Sequence, residues 1–180
     1  MEYYTTDIAG RKEDLPILTI GENLRIAFFN LHGAQELTEY CGEKLAEIIR
    51  STGAEVVITA ESKGLQLAHC VARNLGQKFY AVARKSKKLY MQDGISSTVR
   101  SITTSGEQTV YLSRHDVELL EGKKVAIVDD VISTGGSLLG LEKLIEQVKG
   151  ATIVCKAFVL AEGDAKNRTD VKYLGTIPLL

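Results

Sequence analysis

The stretch KKVAIVDD, residues 123–130, constrains this chain more than any other. Its apolar run from Val125 to Val128 is unbroken, which suits a central parallel strand covered on both faces and ill suits a half-exposed antiparallel one. Such a strand needs helices on either side, and the rest of the sequence supplies them in alternation. Residues 35–50 carry Leu37, Cys41, Leu45, Ile48 and Ile49 at spacings of three and four, the period of an amphipathic helix. AEVVITA (54–60) reads as a strand, 65–75 as a helix stopped by Gly76, QKFYAVA (77–83) as a strand, 138–148 as a helix and 152–160 as a strand. YLGTIPLL, with Pro178, fits a closing edge strand. Between these lies a long polar passage, 86–106. It contains an Asp-Gly turn signal and precedes the alternating EQTVYLS, so a hairpin-like excursion is expected there. The pattern predicts an α/β fold, a mostly parallel sheet flanked by helices, with ligands beyond the carboxyl ends of the strands.

A chain of 180 residues is long enough to bury a full core, and nothing in it marks a linker, so a single unit over 1–180 is expected. Its net charge of −1 offers no basic field for nucleic acid. Cys41, Cys70 and Cys155 are odd in number and lack metal or redox spacing; they read as reduced core residues of a cytoplasmic protein. The first residues show no basic-then-apolar signal, and no apolar run approaches the ~20 residues of a membrane span, so no membrane partner is expected. His32, His69 and His115 are scattered without metal spacing.

The end of the 123–130 strand carries the chemistry. Ser133, Thr134, Gly135, Gly136 and Ser137 stand where a strand turns into the first turn of a helix, whose free N–H groups and dipole favour an anion. The glycines admit close backbone approach and the hydroxyls add donors, so a phosphate is the expected guest. G-x-x-x-x-G-K-[ST] and G-x-G-x-x-G are both absent, which argues for a phosphate monoester over a triphosphate or dinucleotide. Asp129 and Asp130 would repel that phosphate unless occupied by donors, and the donors on a small phosphorylated metabolite are hydroxyls. A vicinal diol beside a phosphate describes ribose 5-phosphate. The competing reading, an acid that caps the following helix, accounts for one of the pair but not both.

VAIVDDVISTGGS closely resembles the phosphoribosyl-diphosphate motif of the type I phosphoribosyltransferases, and the order of elements resembles their purine branch: adenine and xanthine phosphoribosyltransferases and related purine-sensing repressor domains. The resemblance implies that Asp129 and Asp130 hold the ribose hydroxyls, the residues on which catalysis rests, and that 133–137 hold the 5-phosphate. It implies a diphosphate loop at Glu61, Ser62, Lys63 and Gly64, joined by the basic residues Arg84, Lys85 and Lys88, with Lys87 left as a solvated cation. It further implies Mg²⁺ bound mainly through the substrate with no direct protein metal site, a small hood over the base (about 1–33 with the C-terminal segment), a flexible lid (about 87–106) that excludes water, and a homodimer.

The implied reaction is transfer of ribose 5-phosphate from phosphoribosyl diphosphate to a purine base, with adenine favoured, for purine salvage. Hypoxanthine, guanine or xanthine transfer and a non-catalytic sensor of phosphoribosyl diphosphate are the alternatives. The sequence departs from the adenine enzymes in the lid: Thr104, Ser105 and Gly106 stand where those enzymes carry E-Y-G, with Glu107 one residue beyond. The layout of 83–90 and 99–113 is rather closer to the xanthine enzymes. Phe28 or Phe29 is expected to stack on the base while at least one of them fills the core. Glu162 is expected to accept from an exocyclic amine or ring N–H of the base, or else to be a solvated turn residue.

Overall fold

The computed structural model describes residues 1–20, 24–100 and 106–180. The 123–130 run lies in the middle of its main sheet. That sheet has five parallel strands in the order β10-β9-β8-β4-β5: β4 Val56–Ala60, β5 Ala81–Ala83, β8 Lys124–Ile132, β9 Thr152–Glu162 and β10 Lys172–Ile177. Successive residues of β8 serve opposite faces. Ala126 and Val128 pack with α1 (Gln35–Arg50) and α2 (Gly64–Asn74) through Cys41, Leu45, Leu67 and Val71. Val125 and Ile127 pack with α3 (Arg114–Leu120) and α4 (Gly136–Glu146) through Val117, Leu120, Leu141 and Leu144. Two cores on two faces explain why β8 is apolar without a break, as expected of a doubly covered strand. β10 is an edge strand as predicted, and it ends at Ile177, so Pro178 lies just outside the ladder.

Two additions stand outside this sheet. β6 (Ile95–Arg100) and β7 (Glu107–Leu112) form the antiparallel hairpin expected in the polar passage. Its base is anchored: Val99 and Val110 lie against Gly140 of α4, and Arg84 bridges Tyr111. The lid positions Thr104 and Ser105 lie outside the described residues. At the N-terminus, β1 (Tyr3–Ile8), β2 (Arg11–Ile20) and β3 (Leu24–Ala27) form an antiparallel sheet docked on β10, where Ala9 N donates to Leu174 O and Gly175 leaves no room for a side chain beside Asp7 O. The turn between β1 and β2 has positive φ at both Ala9 and Gly10, the geometry that matches strand twist in a two-residue hairpin.

Two corrections to the sequence reading follow. Of 77–83, only Ala81–Ala83 pair in the sheet; Phe79 remains exposed because the chain is still returning from α2 at that point. α3 was not anticipated, yet its signal is present: Ser113 caps it by accepting from Asp116 N, and Asp116 Oδ1 in turn accepts from Val82 N. Cys41, Cys70 and Cys155 are buried and free, and burial pushes the Cys41 thiol up to about 12. Among the described residues no helix is long and apolar enough to cross a membrane.

Candidate active site

Four segments converge at the carboxyl ends of β4, β5 and β8. β8 delivers Asp129 and Asp130 inside the strand itself, held by its pairing with β9. Asp130 N donates to Asp129 Oδ1 at 2.9 Å. Asp130 is 8% exposed, and its buried Oδ2 has no hydrogen-bond partner among the described residues, with the Lys63 ammonium as the cation that faces it. Burial, reinforced by the neighbouring Asp130 charge, pushes the Asp129 carboxyl from an ordinary 3.8 up to about 8. A raised carboxyl favours its protonated form in the fold. The associated stability is therefore full below about pH 4 and is lost as pH climbs through about 8. Asp129→Asn should accordingly raise Tm on the order of 5 °C at pH 8 to 9, with the gain vanishing near pH 4. A gain equal at both pH values, read by calorimetric melting, would contradict this assignment.

Past the acids, Ser133–Ser137 curl into the start of α4, whose N-cap is Gly135 at φ +85°. That left-handed conformation suits glycine, and the unpaired N–H groups of the first turn of α4 follow it directly. Asp129, Ser133, Thr134, Gly136 and Ser137 line one small cavity with Phe158, so the first of the two acids and the anion cradle share a site, while Asp130 turns to Lys63.

β4 leads into the third segment. Glu61, Ser62 and Lys63 precede α2, with Glu61–Ser62 a cis peptide bond, and Gly64 opens the helix. The structure brings these residues to the acids but gives them different work. Lys63 Nζ lies 3.6 Å from Asp130 Oδ2, donates to Phe29 O at 3.3 Å and sits 5.3 Å from the Phe28 ring centroid. It joins loop, acid pair and N-terminal segment. Glu61 forms an ion pair with Arg84 and accepts from Lys85 N at 2.9 Å. Arg84 also donates to the Tyr90 hydroxyl at 2.8 Å, so its guanidinium is held in place by protein groups. Lys85 is the exposed cation. It lines a cavity of about 220 Å³ with Glu107, Thr109, Gly136 and Ser137, between the hairpin and the phosphate loop. The described contacts bring the Lys88 side chain to none of these groups; its carbonyl accepts from Met91 N. Lys87 is exposed.

The two phenylalanines divide the expected roles. Phe29 is 2% exposed and belongs to the core, whereas Phe28 is half-buried and turns its ring toward Lys63. Glu162 ends β9, half-buried, and lines a separate cavity of about 350 Å³ with Ser133, Thr134, Asp164, Arg168 and Leu179. Arg168 and Asp164 were not singled out from the sequence, since no local pattern ties residues 164–168 to the loop at 133–137. Among the described residues no cluster of three or more His, Cys, Asp or Glu side chains offers a metal site. An acid pair without further acidic or imidazole neighbours among the described residues fits a cation held chiefly by substrate oxygens.

Comparison with known proteins decides the family. A family model described as phosphoribosyl transferase domain matches residues 30–176. The chain belongs to the phosphoribosyl transferase domain family. It is 30% identical over 142 residues to the adenine phosphoribosyltransferase of Clostridium kluyveri, covering 79% of this chain and 78% of that protein. It is 33% identical over 135 residues to the xanthine phosphoribosyltransferase of Bacillus cereus, covering 74% and 66% respectively. Among solved structures, the adenine phosphoribosyltransferase of Thermoanaerobacter pseudethanolicus superposes with a TM-score of 0.71 at 19% identity, over 91% of this chain and 94% of that one, a likeness of fold. The fold is thus that of a phosphoribosyltransferase.

Proposed function

We propose that this member of the phosphoribosyl transferase domain family transfers ribose 5-phosphate from phosphoribosyl diphosphate to a purine base, adenine before hypoxanthine or guanine and xanthine third, releasing diphosphate. The observation that carries it is that Asp129, hydrogen-bonded to Asp130 N, lines one cavity with the 133–137 loop. On this reading the acids accept from the ribose hydroxyls and the loop amides and hydroxyls hold the 5-phosphate. Lys85, with Ser62 and Lys63, faces the departing diphosphate from the opposite side. The sugar becomes cationic as the bond to diphosphate lengthens, so catalysis is positioning plus charge stabilisation. Mg²⁺, when bound with the diphosphate beside Asp129 and Asp130, supplies charge neutralisation. The β6–β7 hairpin acts as the lid against water, and Glu107, in the same cavity as Lys85, is its acid. We read the working form as a homodimer in the cytoplasm with 1–180 as one unit, a reading supported by the exposed apolar Leu89 and Tyr90 and by the docking of the N-terminal sheet on β10.

Phe28 is the residue we assign to the purine face, because its ring flanks Lys63 and thereby the acid pair. Glu162 is assigned to the base edge: a carboxylate accepts from the exocyclic amine of adenine and repels anionic xanthine. Glu162→Gln should shift the ratio of kcat/KM for adenine over hypoxanthine roughly tenfold, and an unchanged ratio removes Glu162 from the base site. The class is tested by mixing the protein with phosphoribosyl diphosphate, Mg²⁺ and each purine separately and looking for the nucleotide. Binding of the activated sugar without any product assigns the protein to the sensors instead.

A further inference from the structure

One cation beside the phosphate loop comes from the far end of the chain. Arg168, two residues before β10's approach at Asp170, places Nη1 2.7 Å from where a side-chain carbon on Gly135 would stand. Its other two nitrogens are committed: Nε donates to Asp170 Oδ1 at 2.9 Å and Nη2 to Asp170 Oδ2 at 2.7 Å. Such a bidentate fork fixes the plane of the guanidinium, and the third edge then has a defined direction. Asp170 Oδ2 also accepts from Lys156 Nζ at 3.2 Å, and Lys156 pairs with Glu142. Lys156 and Glu142 have side chains only 20% exposed, unlike an ordinary surface pair. Glu142 lies on α4 and Lys156 on β9, the helix that follows the loop and the strand beside β8.

Four alternating charges therefore run from the body of α4, across β9, and back to the loop that begins α4. Their free end is Nη1, which has no hydrogen-bond acceptor among the described residues and faces Gly135 at φ +85°. Isolated ion pairs of this exposure are worth little, but a network that ends in a bidentate fork holds geometry. We propose that Arg168 is a positioning residue for the phosphate loop: braced by Asp170, Lys156 and Glu142, it holds Gly135 so that the amides at the start of α4 grip the terminal phosphoryl group of the sugar substrate. This rests on the substrate reading given above.

The test uses calorimetry with ribose 5-phosphate and steady-state kinetics on the full chain. Arg168→Ala should raise the Kd for ribose 5-phosphate and the KM for phosphoribosyl diphosphate roughly tenfold each, with kcat at saturating sugar and KM for the base within about twofold. Arg168→Lys should recover less than half of the loss, because an ammonium cannot keep the fork and the third edge together. Asp170→Asn, which leaves the arginine in place but weakens its brace, should move the same two constants in the same direction, and it serves as the readout if the alanine variant melts below the assay temperature. Unchanged sugar constants in both variants, equal losses in base KM and kcat, or full rescue by lysine would each overturn the proposal. A wild-type protein that binds no ribose 5-phosphate and makes no nucleotide takes down the substrate reading with it; wild-type binding matched by Arg168→Ala takes down this inference alone.

Discussion

Replacing both acids, Asp129→Asn with Asp130→Asn, should lower kcat/KM for nucleotide formation by about 10²–10⁴-fold, because two charge-assisted hydrogen bonds of roughly 1.5–3 kcal/mol each are lost. The amides keep the volume of the carboxyls, so the β8–β9 ladder and the cores beside it are untouched. The unfavourable element of the site, two carboxylates side by side in a largely buried strand end, is removed at the same time. Stability at pH 8 should therefore rise while activity collapses, the mark of a site that spends stability on function. Calorimetric titration with phosphoribosyl diphosphate and Mg²⁺ separates binding from turnover. Undiminished uptake by the double variant would refute the assignment of the acids to the sugar, and the substrate reading would fall with it. A variant that loses activity and stability together would instead make the pair structural.

The strand and helix order was legible because each element advertises itself within a short window. β8 is apolar on both faces, α1 repeats at three and four, and Gly76 stops α2 with φ +71°. The same locality made the anion loop legible, since Gly135 and the hydroxyls beside it follow the acids directly. The N-terminal sheet was harder to read. β2 contains Pro16 and alternates weakly, and its turn is Ala-Gly where Asn-Gly or Asp-Gly is the usual signal. The strands pair chiefly with one another and are held in place by contacts to the opposite end of the chain, Ala9 N to Leu174 O and a bridge between Ile26 and Leu179.

Within the site, residue types were legible and their partners were not. Lys63 was expected at the diphosphate, yet its ammonium also spans Asp130 and Phe29 O; Arg84 was expected there too, yet Glu61 and Tyr90 hold it. All but the Arg84–Tyr90 contact depend on where segments 23 to 67 residues apart meet, and no spacing rule encodes them. Arg168 is the clearest instance, being 33 positions from the glycine beside which its guanidinium lies.

Gly64→Ala carries the second large effect, and it separates packing from chemistry. A Cβ on Gly64 would stand 2.0 Å from Thr59 Oγ1 and 2.9 Å from Asp129 Oδ1. Thr59 is fully buried, so it has nowhere to retreat, and its hydroxyl has no partner among the described residues. Overpacking of this kind costs about 1–3 kcal/mol, equivalent to a fall in Tm of roughly 5 °C for a chain of this size. The displaced Asp129 should lower kcat/KM by about 100-fold as well, since an ångström of misplacement at a reacting sugar is enough for that. Thr59→Ala with Gly64→Ala removes the closer of the two collisions and leaves the one with Asp129. The double variant should thus regain most of the Tm while kcat/KM stays depressed. Recovery of both would mean that Gly64 matters only to the packing of α2 on β4, and that the first residue of the helix has no hold on the acid across the sheet.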